Sequence, residues 1–102
     1  MIARVWRGAT RAEDAEAYAA YLEESGMRAA RGLPGSRGTL VLHRRDGDLA
    51  EFVTLLLFDS LDDVKGFAGD ALARARFFPE DDRWLVERDL DVRHFEVDAH
   101  LV

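Results

Sequence analysis

The chain has 102 residues, no cysteine, 48% hydrophobic residues and a formal net charge of −6. This length favours a single domain over residues 1–102, and the hydrophobic fraction excludes a disordered chain. The acidic balance excludes a nucleic-acid partner, which needs a basic face, and the lack of cysteine excludes disulfides and thiolate metal sites.

No segment contains the roughly 20 consecutive apolar residues that a membrane span requires. The first residues also lack the apolar run of a secretory signal peptide. We therefore expect no membrane partner. We also expect a location in the cytoplasm, because a chain without cysteine suits a reducing compartment.

Residues 2–9 have the alternating pattern of a β-strand, with Arg4 and Trp6 on the same face. Residues 11–31 change to the apolar spacing of an amphipathic helix, for which Thr10 is the expected N-cap. The N-terminal third is thus predicted to be one strand followed by one long helix.

The middle of the chain reads as a β-hairpin followed by a helix. Residues 38–45 and 50–59 are the two strands, and Asp46-Gly47-Asp48 between them is a turn in which glycine supplies a positive φ. Ser60 is placed to cap a second helix, whose first turn carries two aspartates.

The C-terminal third is predicted to contain two short helices and a final strand. One helix covers residues 71–78 and ends at Pro79, another covers 80–88, and residues 91–97 form the strand. The order β-α-β-β-α-α-β indicates an α+β protein of the ferredoxin-like, split βαβ type, with helices on one face of an antiparallel sheet.

Residues 52–58 are apolar at nearly every position, whereas a strand with one wet face should alternate. Residues 40–42 repeat this pattern. Because one face of the sheet packs on the helices of the same chain, the other face needs a cover. We predict a two-fold homodimer whose sheets pack face to face; the alternative is a leucine-rich strand with a partly exposed apolar face.

The whole chain resembles the antibiotic biosynthesis monooxygenase (ABM) family of the dimeric α/β barrel superfamily. The resemblance is carried by IARVWRG at the start, by the strand pair RGTLVLHRR and AEFVTLLLFDS, by FAGDALARARFFPEDD and by the closing HFEV. It implies a single ABM-like domain with a pocket between sheet and helices. The small bacterial proteins that carry one ABM domain and have no assigned role look most similar.

The resemblance also implies a class of activity. Oxygenases of this group act on aromatic, polyketide-like or quinol molecules without metal or flavin, because the deprotonated substrate itself reacts with oxygen. The leading expectation is therefore a cofactor-independent monooxygenase-like enzyme. The alternative is a non-catalytic dimer that binds a small ligand or serves a pathway-accessory role.

Haem binding is the weaker third reading. Haem-degrading relatives use an asparagine on the first strand, a tryptophan on the second helix and a histidine after it. This chain has no asparagine, and Phe67 and Phe77-Phe78 stand in the regions of the other two residues. We therefore expect no cofactor.

The candidate catalytic residues are one histidine and two arginines. His94 on the last strand has a side chain that titrates near neutral pH and could take a proton from a phenol or quinol; the alternative is a structural histidine at the sheet or dimer interface. Arg74 or Arg76 could pair with the resulting anionic oxygen or stack on a ring.

Aromatic residues from separate elements are the candidate substrate-binding residues, because aromatic walls with a few polar groups suit a flat organic ligand. They are Trp6, Phe58, Phe67, Phe77, Phe78 and Trp84. The alternative is that they fill the core.

A metal site is not expected. The three histidines at 43, 94 and 100 form no compact ligand pattern. Glu80, Asp81 and Asp82 are consecutive, so on a helix they point in different directions and are better suited to its N-terminus after Pro79.

Overall fold

A computed structural model describes residues 1–100 as five strands and a set of short helices. The strands are β1 (Ile2–Arg11), β2 (Ser36–Asp46), β3 (Leu49–Phe58), β4 (Leu85–Arg88) and β5 (Arg93–Glu96). The helices are α1 (Ala15–Leu22), which continues through a π turn (Glu23–Met27) into α2 (Arg28–Arg31), then α3 (Leu61–Ala68) and α4 (Asp81–Trp84). A 3₁₀ turn (Ala12–Asp14) leads from β1 into α1.

The sheet is antiparallel and has the order β2-β3-β1-β4, with β5 also pairing with β1. β4 pairs with the Gly8–Thr10 part of β1, and β5 pairs with the Ile2–Val5 part. The two short strands therefore share the position of the fourth strand. This is the ferredoxin-like arrangement, and it confirms the fold class predicted from the sequence.

One face of the sheet carries the helices and the core. Along β3 every second residue from Ala50 to Phe58 is buried, which is the period of a half-covered strand. Phe52, Leu56 and Phe58 belong to a cluster with side chains of α1 and α3. The helices thus bury this face, and the space between them and β1 is where a pocket can form.

The opposite face of the sheet is apolar and has no cover within residues 1–100. The strand registers place side chains from four strands next to one another there. We call this set the open-face patch: Val5, Leu40, Leu42, Val53, Leu55, Leu57 and Phe95. Leu40 and Leu42 are 51% and 50% exposed, so the double-sided apolar pattern corresponds to a real apolar surface.

The hairpin and the cap of α3 are where the sequence places them. Gly47 in the turn between β2 and β3 has a φ of 63°. The Ser60 hydroxyl accepts a hydrogen bond from the Asp63 backbone N–H at 3.3 Å, as an N-cap should.

The expected N-cap Thr10 is a correction. Thr10 is a buried residue of β1, paired with Ala50 and Leu85, and its hydroxyl donates to the Arg11 carbonyl oxygen. Strand pairing on both sides keeps Thr10 extended, so the helical segment begins after Arg11 with no side-chain cap.

Both short helices predicted for the C-terminal third are also corrected. Residues 71–78 form turns and extended chain, with an isolated bridge between Arg74 and Asp91. Of residues 80–88, only Asp81–Trp84 are helical, and the rest is β4, which pairs with the free edge of β1. In residues 1–100 no helix has both the length and the apolarity to cross a membrane.

Candidate functional site

A small cavity lies between the helix-covered face of β1 and β3, the α1–π turn segment and the chain that follows α3. Its volume is about 50 Å³. Four consecutive residues, Ala75 to Phe78, form one wall, and this segment has no regular secondary structure. We call it the 75–78 wall. Because an extended wall has no ladder of its own, its position depends on contacts to other elements.

Five of the residues predicted from the sequence line this cavity. They are Trp6, Phe67, Arg76, Phe77 and Phe78. Trp6 and Phe77 meet edge to face with ring centres 6.2 Å apart, and the Trp6 indole N–H donates to the Asp89 carbonyl oxygen. The cavity wall is therefore largely aromatic.

Of the other four predicted residues, His94 contacts Arg4 outside the cavity lining, and three lie elsewhere. Phe58 is fully buried in the core, and Trp84 packs on Tyr21 with ring centres 5.1 Å apart. The Arg74 side chain is exposed and lies 3.6 Å from Asp91, so it faces away from the cavity.

Arg76 stacks over the mouth of the cavity. Its guanidinium carbon lies 4.9 Å from the centre of the Phe67 ring and 4.7 Å from that of Phe78, and its Nη1 donates to the Phe67 carbonyl oxygen. Cations are favoured over aromatic faces because of the ring quadrupole. Arg76 is thus held at the cavity while its charge stays partly in solvent.

Tyr18 and Asp81 form a buried polar pair in the cavity lining. The Tyr18 hydroxyl donates to Asp81 Oδ1 at 2.9 Å, and Asp81 Oδ2 accepts from the Phe78 backbone N–H at 2.7 Å. Burial and the adjacent carboxylate raise the pKa of Tyr18, so its hydroxyl stays protonated. Asp81 therefore ties the 75–78 wall to α1.

Gly26 in the π turn explains how the wall approaches the helix so closely. A Cβ at this position would lie 3.3 Å from the Phe78 ring. Gly26 and Met27 both line the cavity. The π turn, a feature often found at functional sites, thus places a residue without a side chain opposite an aromatic ring.

Arg4 is the most deeply buried cation of the site, and only 3% of its surface is exposed. Its Nη1 and Nη2 donate to the carbonyl oxygens of Leu72 and Arg74, both at 2.7 Å. Nη1 also lies 3.2 Å from His94 Nε2. An arginine can only donate, so Nε2 is the acceptor and the imidazole proton is on Nδ1.

The partly buried position of His94 beside Arg4 makes the stability of the fold depend on pH. Burial, and then the positive charge of Arg4, hold the pKa of His94 below its ordinary value. As the pH falls from about 7 to 5, the unfolded chain binds protons at this histidine before the folded chain does, so the folded state loses stability.

We expect the free energy of unfolding of His94→Gln to fall less over this pH interval than that of the original chain. A glutamine oxygen still accepts a hydrogen bond from Arg4, but it does not titrate. Urea unfolding at both pH values measures the difference. His43→Gln, which removes an exposed imidazole on β2, is the control for the substitution itself. Equal pH dependence in the original chain and His94→Gln would contradict the assignment.

The sequence did not single out Arg4, Tyr18 or Asp81 as site residues. A signal for Arg4 was present, because a charged residue alternates with Ile2 and Trp6 on the buried face of β1. Nothing local marks Asp81, since Glu80 and Asp82 on either side of it are exposed and the three are alike in sequence.

The size of the cavity limits what it holds in this conformation. Pockets for drug-sized ligands span roughly 300–1,000 Å³, well above the volume of about 50 Å³ found between these walls. A porphyrin does not fit, and no three His, Asp or Glu side chains among residues 1–100 gather into a metal-binding group. A larger ligand requires the 75–78 wall to move.

Solved structures support the assignment of the fold, whereas no family model and no curated protein matches the chain. The structure of Rv0793 from Mycobacterium tuberculosis is similar, with a TM-score of 0.62, 17% identity and coverage of 99% of this chain and 98% of that one. A mutant of MhuD, crystallised with two manganese protoporphyrin IX molecules per active site, gives a TM-score of 0.60 and 18% identity over 100% and 99% of the two chains. The chain therefore shares the fold of these two proteins over its whole length, an ABM-like α+β fold.

Proposed function

We propose that this protein is a cofactor-independent monooxygenase-like enzyme that acts on a small aromatic or quinol-type molecule in the cavity. The observation that supports it most is the cavity lining itself. Aromatic rings from β1, α1, α3 and the 75–78 wall meet there, and a buried carboxylate and two arginines lie among them. Once the 75–78 wall has moved to admit it, such a lining can bind a flat ring, take up a proton and stabilise the anion that remains.

The protein's share of the reaction is to generate and protect the substrate anion. In the oxidation of an anthrone-type CH₂ group to a ketone, one oxygen molecule supplies the ketone oxygen and the second oxygen atom leaves as water. The electrons come from the substrate, so the chain itself supplies the ring-binding surface, a proton acceptor and exclusion of water.

Asp81 is the proton acceptor we favour over His94. Asp81 lines the cavity, and two accepted hydrogen bonds leave lone pairs of its carboxylate free. His94 Nε2 already accepts from Arg4, so it must give up that bond before it can take a proton. Arg76, above Phe67 and Phe78, is placed to stabilise the anion.

Oxygen uptake with a panel of hydroquinones and anthrones tests this proposal. We expect turnover by the original chain and a fall in kcat of roughly 100-fold in Asp81→Asn, the lower range for loss of a general base. His94→Gln tests the rival base. Arg37→Gln, which removes an exposed arginine paired with Asp59, is the control.

A folded protein that consumes no oxygen across the panel would contradict the enzyme and favour the non-catalytic ligand-binding dimer. The small volume of the cavity is the observation that favours this second function, because a binding protein needs only to open and does not have to arrange reactive groups. A Soret shift on addition of haem would contradict both the size argument and the absence of a cofactor from the proposal.

The homodimer is part of the proposal, with action in the cytoplasm. The open-face patch supplies the surface, since contiguous apolar area on a sheet marks an interaction site. Arg7 lies at the edge of this patch, where its guanidinium forms ion pairs with Glu51 and Glu87 on the same face of the sheet. Charged pairs around an apolar centre are the usual composition of an interface between protein chains.

A further inference from the structure

Arg4 is a buried cation for which the described chain supplies no counter-charge. Its partners are two carbonyl oxygens and one neutral imidazole. No Asp or Glu among residues 1–100 lies within salt-bridge distance of it. The N–H donors of Arg4 thus largely have acceptors, but no acidic side chain neutralises its positive charge.

Such an arrangement is costly for a fold. Charged groups that leave water are normally paired with an opposite charge. Burial lowers the pKa of Arg4 to about 10, so the guanidinium is still positive at neutral pH. If Arg4 served only to donate hydrogen bonds to the carbonyl oxygens of Leu72 and Arg74, its charge would not be needed. A neutral donor can bind carbonyl oxygens as well.

The cavity beside Arg4 has the same imbalance. Its lining contains two cations, Arg4 and Arg76, and one acid, Asp81. Asp81 is engaged with the Tyr18 hydroxyl and the Phe78 backbone N–H, and neither arginine is bonded to it. A guest that balances the lining therefore carries one negative charge.

Phe67 fixes where the apolar part of such a guest lies. The guanidinium carbons of Arg4 and Arg76 are 5.7 Å and 4.9 Å from the centre of this ring. An anionic group near Arg4 would thus have an aromatic surface beside it. Trp6 and Phe77 continue that surface along the cavity.

We propose that the ligand of this cavity is an aromatic carboxylate whose acid group pairs with Arg4. The proposal deepens the proposed function, since it concerns the same cavity, but it requires binding only and not turnover. The present volume holds little more than the acid group, so the ring enters as Phe77 and Phe78 move aside.

Titration calorimetry with benzoate and benzamide tests the charge requirement, because the two have nearly the same shape. We expect the original chain to bind benzoate at least roughly tenfold more tightly than benzamide, the scale of one charge-assisted contact. Arg4→Gln, which still donates to carbonyl oxygens, should lose the preference. Arg37→Gln should keep it. Equal binding of the two probes, no binding of either, or a preference that persists in Arg4→Gln would overturn the proposal.

A second readout needs no variant and locates the ligand. Arg4 Nη1 lies 3.2 Å from His94 Nε2, so an anion paired with Arg4 offsets the positive charge that His94 experiences. The pKa of His94, followed by NMR, should rise when benzoate is bound and stay unchanged with benzamide. An unchanged pKa at saturating benzoate would place the acid group elsewhere and overturn the proposal.

The two proposals fail in different ways. Oxygen uptake can be absent while the benzoate preference and its loss in Arg4→Gln persist, which would remove the enzyme and leave the acid-binding site. Turnover of hydroquinones together with equal binding of benzoate and benzamide would leave the enzyme and remove this inference. Phenol, which is neutral at pH 7, should bind no better than benzamide, and tight phenol binding would count against a carboxylate.

Discussion

Asp81→Ala is expected to lower the free energy of unfolding by roughly 2–4 kcal/mol, because two buried donors lose their acceptor together. The Tyr18 hydroxyl is fully buried, and the Phe78 backbone N–H is held in the wall of the cavity. With no carboxylate in reach, both donors are left without a partner. Urea unfolding monitored by tryptophan fluorescence and by circular dichroism measures the loss.

Asp82→Ala is the matched control for this prediction. Asp82 is the next residue of α4, but its side chain is exposed and pairs with Arg88 on the surface. Its removal should change stability by less than roughly 0.5 kcal/mol, as is usual for exposed ion pairs. A loss in Asp81→Ala no larger than that in Asp82→Ala would show that the buried pair does not hold the wall.

Leu40→Glu combined with Leu42→Glu is expected to convert the proposed homodimer into a monomer. Both leucines project from β2 into the open-face patch. Two like charges from each copy would be buried without partners in a face-to-face pairing of sheets, and the cost exceeds what such an interface gains. Light scattering coupled to size exclusion at micromolar concentration gives the mass directly.

Leu61→Glu separates this effect from a general response to added charge. Leu61 is similarly exposed, but it lies in the first turn of α3, on the side of the sheet that carries the helices. This variant should keep the mass of a dimer. A monomeric mass for the unaltered chain, or a dimeric mass for the double variant, would exclude the open-face patch as the interface.

The sequence predicts β1, the hairpin of β2 and β3 and the start of α3 well, because strong local signals act there. Alternation indicates β1, an apolar run indicates β3, glycine indicates the hairpin turn and Ser60 indicates the start of α3. These signals depend on a few neighbouring residues. They remain valid because the tertiary structure uses the same hydrogen bonds that the local pattern favours.

The failed helix over residues 71–78 shows the opposite case. Alanine and arginine alternate there, and both favour helices. Arg4 instead binds two of the carbonyl oxygens, and backbone bonds run from Ala75 N to Leu90 O and from Val92 N to Ala73 O. These partners lie more than ten residues away, so no local pattern could reveal that the segment's hydrogen bonds are used outside it.

The candidate site likewise contains some residues that the sequence indicates and others that only the tertiary structure reveals. Aromatic residues are conspicuous in sequence, and four of the six proposed as substrate-binding residues do meet at one cavity. The polar residues of the site were missed because their role depends on where the fold places their side chains. Asp81 differs from its acidic neighbours only by facing inward, and Arg4 becomes notable only once its surroundings are known to lack an acid.

The 75–78 wall has a consequence for the shape of any guest. One end is fixed by the bond from Ala75 N to Leu90 O and the other by the bond from Phe78 N to Asp81. Because the backbone is bonded at both ends of this short span, we expect the cavity to widen by rotation of the Phe77 and Phe78 side chains rather than by displacement of the whole segment. The cavity would then gain width in one direction only. We therefore expect it to select thin, planar molecules over bulky ones of equal volume.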